Sequence, residues 1–250
     1  MNSLLFITGD YLRTLMHRRF LLAFLISMFI ITLLFYFIIE QFVDDPQIRP
    51  QLFIALAIFY AFSSFIGTIA AIYVGASAIS GEISRGTIAM LLCRPVVRWQ
   101  FLLGKLVGAL IVMLGYSLIM GGVMVFYCFV HDLDMLPVMR FAPWLTFCQF
   151  LMMCSLALAL STVMHPAVAG VLTFFSDLSW VFELFVRDGP FYYVSYVLPS
   201  YGPFNAWMDF LGTSSIYSWG DLSLLTLYAF DVALILVLLA MLRLRYKEVT

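Results

Sequence analysis

Two carboxylates, Asp177 and Asp231, stand near the centres of long apolar runs. A carboxylate at mid-membrane costs about 2.5–3.5 kcal/mol on insertion scales, so such a residue faces protein or water. On neighbouring helices at similar depth the two would repel as bare charges and would share a proton. Two readings stay open: they line a translocation route or bind a cation, or they are hydrogen-bonded packing residues. Little else in the chain is equipped for chemistry. His17, His131 and His165 lie far apart and form no metal set, and no catalytic constellation with a serine or cysteine. Cys93, Cys128, Cys148 and Cys154 show no CxxC pattern and sit in or beside apolar runs. They read as small packing residues, with neither a disulfide framework nor a zinc site expected. The 14 methionines, among them Met113, Met120, Met124, Met152 and Met153, raise the question of copper, because thioethers favour Cu(I). Scattered methionine on apolar helices is more simply core filler. No GxxxxGK[ST] loop occurs, so the chain cannot bind ATP by that route.

The elements that must position these groups are set by lipid. Of 250 residues, 64% are hydrophobic and 11% are charged, against about 45–50% and about 25% in soluble domains. One globular core cannot bury that excess, so lipid is the solvent for much of the surface. The net charge of −1 gives no indication of nucleic acid as a partner. A hydrocarbon core about 30 Å thick needs about 20 helical residues. Six stretches qualify: 20–39, 52–79, 101–130, 144–164, 167–186 and 222–242. The fourth and fifth are separated only at His165-Pro166, where proline disfavours a continuous helix. The expected fold is all-α: a single polytopic membrane domain over 1–250.

Lysine and arginine give the orientation. Arg13, Arg18, Arg19, Arg85, Arg94, Arg98, Lys105, Arg243, Arg245 and Lys247 fall on one side, and only Arg49, Arg140 and Arg187 on the other. The positive-inside rule places both termini in the cytoplasm. Residues 1–19 do not read as a cleavable signal, because the apolar run that follows is too long and lacks a small-residue cleavage site. Leu4, Leu5, Tyr11, Leu12, Leu15 and Met16 share one helical face, which predicts an amphipathic helix on the inner leaflet. It is either an anchor or a surface for a cytoplasmic partner. Segment 187–221 is outside by topology, yet rich in tyrosine, phenylalanine and tryptophan and broken by Pro190, Pro199 and Pro203. Short re-entrant helices in the outer leaflet are expected there, as an aromatic belt or as an external gate.

The most polar stretch on the cytoplasmic side joins the second and third spans. Gly81 and Gly86 permit sharp turns, and Thr87 can cap the turn that follows. Ile88, Leu91 and Leu92 make an apolar face, and Pro95 ends the helix. Glu82 and Arg85, spaced i, i+3, can pair. A short rigid helix held between two long spans acts as a lever on both.

This loop resembles that of the permease subunits of type-2 ABC exporters, the ABC-2-type transporter family. Their pattern is an acidic residue, Arg-Gly-Thr, Leu-Leu, a proline, a basic residue, then Leu-Leu-Gly-Lys. Here it reads Glu82, Arg85-Gly86-Thr87, Leu91-Leu92, Pro95, Arg98 and Leu102-Leu103-Gly104-Lys105. The resemblance implies that 80–100 forms a coupling helix docked on a separate ATPase subunit. Glu82, Arg85, Gly86, Thr87, Leu91, Leu92, Pro95, Arg98, Gly104 and Lys105 would be its coupling residues. It further implies two ATPase subunits that carry ATP and Mg, a second permease copy or paralogue, and the inner membrane as location. This chain itself would hold no cofactor and no catalytic residue. A secondary carrier or channel subunit using Asp177 and Asp231 leaves the loop unexplained. An intramembrane enzyme lacks a nucleophile or metal set at one depth.

Overall fold

A computed structural model describes residues 2–17, 19–40, 49–83, 98–130, 137–177, 199–204 and 218–246. Among these the chain is helical throughout, with no strand. The order is α1 (Asn2–His17), α2 (Arg19–Glu40), α3 (Arg49–Ile83), α4 (Arg98–Val130), α5 (Pro137–Ser161), α6 (Pro166–Asp177), a 3-10 turn (Gly202–Phe204) and α7 (Trp219–Tyr246). Among the described residues, four helical stretches are long and apolar enough to cross a membrane: Ile54–Ile79, Trp99–Val130, Met139–Ser161 and Trp219–Arg243. Ile26–Phe37 and Pro166–Asp177 are shorter apolar stretches. Helical structure extends beyond the expected spans at both ends of α3 and begins earlier in α5.

The break before Pro166 has a local cause. The last turn of α5 tightens, with Thr162 N–H donating to the Ala159 carbonyl and Val163 N–H to that of Leu160. Pro166 then opens α6, at the helix position where its missing N–H does no harm. His165 caps the new helix, its Nδ1 accepting from the Ala167 N–H at 3.3 Å.

Helix α5 is the hub. Its apolar window is 89% buried, against 22% for α7, and it packs against α3, α4, α6 and α7. The approach to α3 is close because α3 carries small residues every fourth position: Ser63, Gly67, Ala71 and Gly75. A Cβ on Gly75 would lie 2.5 Å from the Cys154 carbonyl oxygen and 3.1 Å from the Ala157 Cβ. Tyrosines then bond across the helices, since a hydroxyl in an apolar interior needs a partner. Tyr60 donates to the Ala142 carbonyl at 3.0 Å and is hydrogen-bonded to Thr146. Tyr116 donates to the Ser63 carbonyl at 2.6 Å. Outside this spine, large apolar side chains face outward, Phe62, Leu118, Phe129 and Leu227 among them. In water such a surface would aggregate, and in lipid it is solvated.

Cys128, Cys148 and Cys154 are free and buried, and Met113, Met120, Met124, Met152 and Met153 lie within the core. Cys93 and His131 lie outside the described residues.

Gly75→Val should therefore lower apparent thermal stability, by about 1–3 kcal/mol as overpacking does. Gly115→Val is the control, since a Cβ there meets nothing within 4 Å. Melting of the two variants in detergent checks this, and equal melting would contradict the close crossing.

Candidate functional site

The ends of α3 and α4 that flank the 84–97 segment are tied together by one buried cation. Lys105 is 3% exposed. Its Nζ donates to the Ala78 carbonyl on α3 and lies 4.6 Å from the Phe101 ring centroid and 5.4 Å from that of Tyr11. A buried ammonium is tolerated only where carbonyl oxygens and aromatic faces replace its water. Tyr11 belongs to α1, so the same interaction captures that helix. Its hydroxyl donates to the Val74 carbonyl at 3.0 Å, and Thr8 donates to the Gly104 carbonyl at 3.1 Å. Leu15 is buried as well. Gly108 leaves room for the tyrosine, because a Cβ there would sit 2.9 Å from the Tyr11 ring. Tyr11 and Leu15 are thus buried as α1 packs mainly on α4, while Leu5 and Phe6 remain exposed.

The Leu-Leu-Gly-Lys run gains a physical meaning from this packing. Leu102 is fully buried, Gly104 offers its carbonyl to Thr8, and Lys105 sits among aromatic rings inside the chain. Gly104 and Lys105 each bond to another helix of the chain. Glu82 lies in the last turn of α3, and Arg98 opens α4. Arg85, Gly86, Thr87, Leu91, Leu92 and Pro95 lie outside the described residues, as do 187–198 and 205–217 of the outer segment.

The two mid-span carboxylates have different surroundings. Asp177 at the end of the described part of α6 accepts from Gln149 Nε2 at 3.0 Å. Gln149 occupies the middle of α5 and is 2% exposed. Residues 199–204 close over the same place: Tyr201 and Phe204 are fully buried. Ser200 N–H donates to the Tyr228 hydroxyl at 3.0 Å, and Phe204 stacks on the Tyr228 ring with centroids 6.3 Å apart. The Tyr201 hydroxyl stands beside Ser176 and Asp177. Asp231 is exposed on α7 and makes no hydrogen bond among the described residues. No shared proton links it to Asp177 there.

Sequence reasoning places Tyr11 on the right face of α1 but not under Lys105. It also passes over Gln149, the one amide in a run from Phe147 to Leu160 whose other polar residue is Ser155, and that near-isolation is the signal that marks it.

A family model described as ABC-2 family transporter protein matches residues 6–244. No match to a curated protein reaches significance.

Tyr11→Ala removes both the ring under Lys105 and the bond to Val74. Loss of a buried aromatic costs about 3–5 kcal/mol, so the variant should melt earlier and expose Arg13 to trypsin. Leu5→Ala, on the exposed side of α1, should do neither. Identical cleavage of the two variants would contradict the junction.

Proposed function

We propose that this chain, which belongs to the ABC-2 family of transporter proteins, is the membrane-spanning permease of an exporter driven by a separate ATPase. The observation that carries the proposal is the Lys105 junction. It ties α1, α3 and α4 into one block directly beside the Glu82–Arg98 segment. A force applied to that segment reaches three helices together. The sequence holds no phosphate-binding GxxxxGK[ST] loop, so ATP and Mg belong to the partner. Two ATPase subunits dock on the segment through Glu82, Arg85, Gly86, Thr87, Leu91, Leu92, Pro95 and Arg98. Their closure on ATP drives alternating access.

In this reading six spans cross the inner membrane with both termini cytoplasmic, in keeping with the distribution of lysine and arginine. The outer segment around 199–204 re-enters the membrane and seats against the middle of α5. Non-helical backbone is tolerated at that depth only where protein covers it. The exposed Asp231 supports a second permease copy or paralogue. Facing lipid it would cost about 2.5–3.5 kcal/mol, and a neighbouring permease on α7 removes that exposure.

Co-expression with the GxxxxGK[ST] ATPase of the neighbouring gene tests the docking. Removing one member of a buried interfacial charge pair costs about 2–5 kcal/mol. Arg85→Glu should therefore weaken co-purification roughly 30-fold or more, and Glu82→Ala should lower the ATPase activity of the assembled complex. Unchanged assembly and coupling in both variants would move the docking surface elsewhere.

A further inference from the structure

The cluster around Asp177 is incomplete as a hydrogen-bonded packing site. Gln149 uses its Nε2 on Asp177, the amide orientation that an ionised carboxylate requires. Among the described residues its Oε1 is then buried with no hydrogen-bond partner, and the Tyr201 hydroxyl has no well-formed one, only a loose approach to Ser176. Buried polar atoms in native structures are nearly always satisfied, and each exception needs an explanation. Gln149 and Tyr201 both neighbour Asp177, whereas the unsatisfied Ser63 Oγ lies elsewhere, on α3. Ser176 adds a further oxygen, its hydroxyl donating to the Thr173 carbonyl at 2.7 Å while its lone pairs stay available. The groups come from three separate parts of the chain, α5, α6 and 199–204, brought together at the middle of the hub helix.

We propose that Gln149, Ser176, Asp177 and Tyr201 form a binding site for one alkali-metal cation. The donor set is all oxygen, which suits a hard ion. It carries one carboxylate, whose charge a monovalent ion neutralises, whereas divalent sites gather several. Among the described residues no group of three or more histidine, cysteine or acidic side chains offers a transition-metal site. The ion supplies what Gln149 Oε1 lacks, a positive partner, without removing the Asp177 bond to Nε2. It also joins the outer 199–204 segment to α5 and α6, so its occupancy sets how firmly that segment is held. The assignment stands on this packing alone and is independent of the partner ATPase.

The test is equilibrium binding of radioactive Na⁺ to the full chain in lipid nanodiscs, with choline holding ionic strength constant and K⁺ and Li⁺ as competitors. We expect saturable binding and a rise in melting temperature with Na⁺ over choline. Gln149→Leu and Asp177→Asn should abolish both, and Tyr201→Phe, which keeps the ring and its packing, should weaken binding several-fold. Asp10→Asn, exposed on α1, should change nothing. If Gln149→Leu fails to fold, Tyr201→Phe still decides the matter. Absence of saturable alkali-ion binding overturns the proposal, as does binding that survives Asp177→Asn. A melting temperature that responds to pH but not to alkali ions also overturns it, because Asp177 then carries a proton instead.

Discussion

A lysine ammonium inside an apolar bundle has to be answered by something other than water. At Lys105 the answer comes from three helices: the Ala78 carbonyl on α3, the Phe101 ring on α4 itself and the Tyr11 ring on α1. Most of the organisation at this end of the molecule follows. Helix α1 cannot lift away without uncovering the cation. The ends of α3 and α4 cannot separate without breaking the bond to Ala78. An interaction that is unfavourable when incomplete holds all its members in place, because removing any one strands a buried charge. The helices that flank the 84–97 segment are therefore fixed relative to each other by chemistry as well as by shape.

The rest of the bundle is assembled on a different rule. Lipid gives no hydrophobic drive between helices, so close packing and interhelical hydrogen bonds do that work. The four-residue spacing of Ser63, Gly67, Ala71 and Gly75 brings α3 against α5 until backbone nearly meets side chain. Tyr60 and Tyr116 then stitch α3 to α5 and α4 through carbonyl oxygens. Gly121 on α4 makes room for Pro143 of α5 in the same way, a Cβ there lying 2.4 Å from the proline Cγ. Helix α5 ends up as the scaffold on which Gln149 can be held at mid-bundle.

Much of this architecture is legible in the residue pattern. The helical character, the break at His165-Pro166 and the apolar face of α1 follow from periodicity, proline and hydropathy, all local properties. The ordered set from Glu82 to Lys105 carries the family resemblance, which the family match over 6–244 bears out. What local pattern misses is which distant residues meet. Nothing near Lys105 in sequence announces Tyr11, and the packing of α1 on α4 therefore goes unread. Asp177 and Asp231 look equivalent as carboxylates near the centres of apolar runs, yet one finds Gln149 and the other faces outward. Depth is written in the sequence, but rotation about the helix axis, set by tertiary packing, is what separates them.

In the proposed permease cycle α1, α3 and α4 travel as one body, while α7 is held along one face. Spin labels on a cysteine-free background test that division directly, with the assembled complex cycled between nucleotide-free and ATP-bound states. Labels at Leu5 and Trp99, exposed on α1 and α4, report on the block. A second pair, Trp99 and Leu242, reports between the block and α7, where Leu242 is also exposed. The Leu5–Trp99 distance should stay constant and narrow on ATP binding while the Trp99–Leu242 distance shifts. A Leu5–Trp99 distance that broadens or moves with ATP would mean that the buried lysine does not bind these helices into a single lever.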